Sequence, residues 1–144
     1  ALKAANIQLK LDVEDIIVNA DQDKIRTVID NLLSNAIKFT PRGGLITVRA
    51  SRLPASFVLE FGDTGPGIPD EESPRIFEAF FQGRREQGGQ VGGTGIGLSV
   101  VLECIQAHDG SVELVDSDEF RGAHFRIHIP QKRVVAKQKL AANG

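Results

Sequence analysis

At 144 residues, 41% of them hydrophobic, the chain is one domain of ordinary size with enough apolar content for a sizeable core. Its formal charge of −2 hides an asymmetry: residues 131–144 carry Lys132, Arg133, Lys137 and Lys139 and no acid, leaving 13 basic against 19 acidic side chains, net −6, in residues 1–130. An acidic body without a basic stripe argues against a nucleic-acid partner, a single cysteine excludes an internal disulfide, and no apolar run approaches the roughly 20 residues of a membrane span.

The first residue is Ala and no signal peptide is visible, so the chain is expected to be an excised piece of a longer protein, itself open to membrane anchoring. Residues 7–13, IQLKLDV, alternate apolar and polar and predict a half-buried strand, with Ile16–Val18 as a second short one. From Asp21 to Phe39, Ile25, Val28, Ile29, Leu32, Leu33 and Ala36 recur at the spacing of one buried helical stripe. Asp21 suits the N-cap and Pro41 stops the run. Turned away from the stripe, Asn31, Asn35 and Lys38 share one polar strip. That strip is either a solvated face or a Mg²⁺–phosphate site, in which Asn offers a neutral oxygen to a hard cation and Lys meets phosphate.

Pro41-Arg42-Gly43-Gly44 is turn chemistry, after which Leu45–Ser51 and Phe57–Asp63 predict an antiparallel hairpin across Leu53-Pro54-Ala55-Ser56. The second strand delivers Asp63 to Asp63-Thr64-Gly65-Pro66-Gly67-Ile68-Pro69, a fixed turn in which backbone can approach a ligand closely. It reads as an ordinary glycine turn, or as a loop whose acid accepts from an amino group in a buried pocket. A short helix starts at Pro74 and carries Phe77, Phe80 and Phe81. Residues 82–94, QGRREQGGQVGGT, form a glycine-rich insertion or a functional lid from which Arg84 and Arg85 could reach phosphates.

Gly93-Thr94-Gly95-Ile96-Gly97-Leu98 opens a helix running through Val100, Val101, Cys104 and Ile105 to a cap near Gly110, and its exposed N–H groups make an anion site. Neither the P-loop nor the dinucleotide fingerprint fits this spacing. Cys104 falls at a core position, and the three histidines lack metal-ligand spacing; His124 and His128 read as the solvent side of an alternating strand. Strands at Ser111–Asp116 and Ala123–Ile129, joined by a turn at 118–122, close the domain. Residues 131–144 form a basic tail, expected to be a disordered linker or an expression remnant.

Taken together, DNLLSNAIKFT (30–40), DTGPGIP (63–69), RIFEAFF (75–81) and GGTGIGLSVV (92–101) resemble, in order and spacing, the N, first glycine, F and second glycine boxes of the sensor histidine kinase ATP-binding domain. The resemblance covers roughly residues 5 to 130, in a superfamily that includes Hsp90, type II topoisomerases and mismatch-repair ATPases. It implies an α/β (α+β, two-layer) sandwich of the Bergerat type, in which a mixed, mainly antiparallel sheet is covered by helices on one face. It also implies a histidine kinase domain, residues 1–130, that binds ATP and Mg²⁺. By carry-over Asn35 is the Mg²⁺ ligand, Asn31 a supporting group, and Lys38 and Phe39 contact phosphate and nucleotide. Asp63 accepts from the adenine amino group, and Gly65, Gly67 and Ile68 line the pocket. Arg84, Gly93, Thr94, Gly95, Gly97 and Leu98 lie on the phosphate side.

Hydrolytic relatives are known for a glutamate at position 31, and Asn31 cannot take a proton from water at neutral pH. That favours presenting the γ-phosphate to an acceptor. No histidine sits in an HExRxP-like segment, so the resemblance implies a separate dimerisation domain carrying the acceptor, and a response regulator downstream. It further implies a cytoplasmic, monomeric domain whose parent can be anchored in the inner membrane. The alternatives are a serine kinase of the anti-sigma-factor type, against which RIFEAFF argues, and a non-catalytic nucleotide-sensing or docking module. Two positions depart from the family pattern. Ala123 replaces a usual Ser or Thr near the adenine, and Ser73 replaces an apolar residue, which would loosen the segment before the F box.

Overall fold

Pro54-Ala55 makes a two-residue turn that pairs Leu53 with Ser56 and so fixes the register of the central hairpin. The computed structural model describes residues 6–78, 97–115, 119–120 and 122–131. Within them run β1 (Gln8–Val13), α1 (Gln22–Phe39), β2 (Leu45–Leu53), β3 (Ser56–Asp63), a 3₁₀ turn (Ser73–Arg75), α2 (Gly97–Gln106), β4 (Ser111–Leu114) and β5 (His124–Pro130). The sheet order is β1-β2-β3-β5-β4. Only β1 and β2 are parallel, joined by α1 as the crossover, so the sheet is mixed and mainly antiparallel as expected.

Both helices lie on one face of the sheet. Val28 and Leu32 of α1 and Val101 and Ile105 of α2 pack with Val48, Leu59, Phe61, Phe125 and Ile127 in one continuous core. Ala36, Ile46 and Ile7 form a smaller cluster under the last turns of α1. Cys104 is buried in the larger core, the position its spacing predicts. Asp21 caps α1 by accepting the Lys24 N–H at 3.0 Å, and Thr40 closes the helix. No helix among the described residues is long and apolar enough to cross a membrane.

Several local expectations are corrected. Ile16–Val18 form no strand: the β1 ladder ends where Glu14 N–H donates to Ala50 O, and Ile16 and Val18 turn onto the core while Ile17 points outward. The turn at Ser73–Arg75, where a short helix starting at Pro74 was expected, is 3₁₀, and the Ser73 hydroxyl donates to Asp70 O at 3.2 Å. The cap of α2 does fall near Gly110, with the left-handed residue at Asp109 (φ +56) and Gly110 N–H donating to Ile105 O. His124 does face away from the helices, but it is 2% exposed. Gln131, placed in the tail by composition, is buried and exchanges hydrogen bonds with the Asn19 backbone at 2.7 and 2.9 Å. The rest of the tail, Phe80, Phe81 and the 82–94 stretch lie outside the described residues.

Candidate functional site

Asp63 ends β3 on the helix-facing side of the sheet, in register with Ile46 of β2, and is 4% exposed. A carboxylate this deep needs donors, and backbone supplies them. Oδ1 accepts the Gly65 N–H at 2.8 Å and the Ala123 N–H at 3.2 Å. The main chain of the same residue is held too, Asp63 N–H donating to Ala123 O at 3.0 Å and Gly122 N–H to Asp63 O at 2.9 Å. Gly122 has no alternative here, because a Cβ would run into Asp63 Oδ1 and come within 2.6 Å of Gly65 N. Ala123 has no hydroxyl, and its N–H fixes the acid instead.

The C-terminal end of α1 abuts this loop: a Cβ at Gly65 would lie 2.8 Å from Phe39 O. The polar strip is thereby brought to the same end of the sheet as Asp63. Its members differ. Asn31 donates from Nδ2 to Thr27 O at 2.7 Å, and its Oδ1 faces Gly97 at the start of α2. Asn35 lies half-buried one turn further along, and the Lys38 ammonium sits 5.2 Å from the Phe39 ring centroid. Ile68 and Leu98 are partly buried against the core, and Gly67 takes φ +77 beside Gly122. Of the other residues singled out by sequence, Arg84, Gly93, Thr94 and Gly95 lie outside the described residues.

Among the described residues no group of three His, Cys, Asp or Glu side chains could hold a metal. The donor set of the α1 strip, neutral amides and one ammonium, is of the kind that suits an ion bringing phosphate and water as most of its ligands. A cleft of about 420 Å³ between Pro66–Asp70 and the β4–β5 hairpin is lined by Ile68, Phe120, Gly122 and Ala123 but by no residue of α1, so it is not shared with the strip.

Sequence reasoning placed Ala123 near the adenine only for its missing hydroxyl; it missed Gly122 and the backbone N–H groups both residues contribute, which no residue type announces. It also missed a polar cluster on the opposite face, where Glu60, His124, Arg49 and Arg126 meet. One signal was present. Glu60 is the lone acid in the apolar run FVLEF of β3, and such a residue needs a cross-strand partner.

The family model described as histidine kinase-, DNA gyrase B-, and HSP90-like ATPase matches residues 20–133. Among sequence relatives, the adaptive-response sensory kinase SasA of Nostoc sp. (strain PCC 7120 / SAG 25.82 / UTEX 2576) is 40% identical over 129 residues, covering 89% of this chain and 31% of its own length. The sensor histidine kinase WalK of Bacillus subtilis (strain 168) is 35% identical over 120 residues, covering 82% of this chain and 20% of its own. Of solved structures, the mycobacterial sensor histidine kinase MprB superposes with a TM-score of 0.79 at 27% identity, over 92% of this chain and 88% of that one. The catalytic domain of histidine kinase ThkA gives 0.77 at 29% identity, over 90% and 84%. The chain thus spans about a third or less of these two sequence relatives and most of the two solved chains.

Proposed function

This chain belongs to the histidine kinase-, DNA gyrase B- and HSP90-like ATPases, in the form of a histidine kinase catalytic domain, and from that premise we propose how its residues handle ATP. The observation that carries the reading is Asp63: a buried carboxylate at a strand end, its direction set by two backbone N–H groups, beside the polar end of α1. Asp63 accepts from the adenine amino group, and the Gly65–Ile68 loop forms the wall against the base. Lys38 meets the phosphates as a point charge, with Phe39 beside the nucleotide. Arg84, Gly93, Thr94, Gly95, Gly97 and Leu98 are assigned to the phosphate side. Mg²⁺, held by Asn35 and the phosphates, would neutralise charge on the transferring group.

Asn31 donates one amide N–H to the Thr27 carbonyl, and since an amide has no basic group it cannot deprotonate water. The domain therefore orients the γ-phosphate toward an acceptor histidine on a dimerisation domain of the same kinase. A response regulator downstream is the further partner assigned. ThkA has been solved in complex with the response regulator protein TrrA, which supports the response-regulator assignment, and full-length ShkA in complex with AMPPNP, which supports nucleotide binding.

Calorimetric titration with ATP, on wild type and Asp63→Asn, tests this reading. The variant's amide oxygen can keep both N–H bonds, which turns its NH₂ toward the adenine amino group, donor against donor. A loss of about tenfold or more in ATP affinity is expected, with the preference for ATP over GTP lowered. An unchanged preference would remove Asp63 from adenine recognition, and no binding by the folded wild-type chain would overturn the function.

A further inference from the structure

On the far side of the sheet from the helices lies a group of polar side chains that nucleotide binding, as read above, does not use. Alternation along β2, β3 and β5 puts Arg49, Glu60, His124 and Arg126 on this outer face, and the register sets Glu60 directly between Arg49 and Arg126. The Glu60 carboxylate accepts from His124 Nε2 at 2.7 Å, Arg126 Nε at 3.1 Å and Arg49 Nη1 at 3.4 Å. Glu60 and His124 are both buried, so the bond between them forms largely out of water, while the two arginine bonds are part-buried. Burial opposes ionisation of Glu60, yet the hydrogen bonds from His124 and Arg126 and the Arg126 charge outweigh it and hold the carboxyl below the ordinary glutamate range.

The same cluster grips the segment that reaches Asp63. Arg49 also pairs with Glu119 through both Nη atoms. The Phe120 ring sits over Gly62, where a Cβ would come within 2.5 Å of it, and meets the His124 ring edge-on at 4.7 Å. Residues 119, 120 and 124 are thereby fixed to the outer face. Between them, Gly122 and Ala123 pass to the rim of the sheet and donate their N–H groups to Asp63.

We propose that Glu60 and His124 are positioning residues for nucleotide recognition: by anchoring both sides of the Gly122–Ala123 segment, they set the direction in which Asp63 presents its carboxylate to the adenine amino group. The proposal rests on the ATP reading of the site. Its signature is selective, because a misaimed carboxylate weakens only the bond to the amino group.

The test uses the 144-residue chain carrying Glu60→Gln, which keeps the side-chain size but removes the charge that Arg49, His124 and Arg126 share. ATP is compared with purine riboside triphosphate, which lacks the 6-amino group. The variant is expected to lose about five- to tenfold in ATP affinity and less than about twofold for the analogue. Equal losses for both nucleotides, the mark of a merely structural role, overturn the proposal, as does no loss for either. Should Glu60→Gln fail to fold, Glu119→Gln at an exposed position loosens the same segment without stranding a buried charge, and must give the same ATP-only loss, of about two- to threefold. A folded wild-type chain that binds neither nucleotide is a separate outcome: it refutes the ATP reading and the proposal with it.

Discussion

Asn31 and Asn35 stand one turn apart on α1 and share its polar strip, yet their surroundings assign them different work. Asn31 is tied to Thr27 O within α1, and its Oδ1 faces the first residue of α2. Asn35 lies half-buried one turn further along the same helix, before Lys38 and Phe39. If Asn35 is the protein's oxygen on Mg²⁺, Asn35→Ala should lower ATP affinity in Mg²⁺ by about tenfold while leaving Mg²⁺-free ADP binding within about twofold. Calorimetry with and without a chelator measures both. Equal losses in the two conditions would mean that the substitution only weakens the helix. The two asparagines, Lys38 and Asp63 were legible in the sequence because each has a polar side chain at a defined period or strand end. The backbone N–H groups of Gly122 and Ala123 were not, because no side chain announces them.

At the scale of elements, local chemistry and long-range pairing divide what could be read. Asp21, the α1 stripe and the central hairpin follow from residues within a few positions of one another, and they appear within two residues of expectation. Ile16–Val18 has strand-like composition but no neighbour to pair with, and propensity alone does not make a strand. The end of α2 falls where it was expected, near Gly110, with the left-handed position at Asp109 (φ +56). An L-residue with a negative charge is doubly misplaced there, by sterics and by the carbonyl end of the helix dipole. Asp109→Gly should therefore stabilise the fold by about 1 kcal/mol, seen as a higher urea midpoint at unchanged m. A lower midpoint would show that the Asp109 side chain makes a compensating contact.

For the whole molecule, the two-layer architecture with helices on one face was legible through the order of the four boxes, while the parallel pairing of β1 with β2 and the polar cluster of the outer face were not. Both depend on register between strands that sequence alone does not align. Register also orders events in time. The β2–β3 hairpin closes over two residues, but Asp63 meets Ala123 across 60 positions of chain and Glu60 meets His124 across 64, contacts made only when β5 docks on β3. Contacts so distant in sequence carry a high closure entropy and are expected late in folding. A nucleotide that needs both partners then recognises a species present only after the barrier. In stopped-flow experiments ATP should leave the refolding rate within about twofold while slowing unfolding by roughly the full factor of its binding linkage. Acceleration of refolding would place the β3–β5 seam in the transition state. If the seam closes late, the ligand acts as a latch on the finished domain, protecting copies that have already folded while leaving the search for the fold to the polypeptide alone.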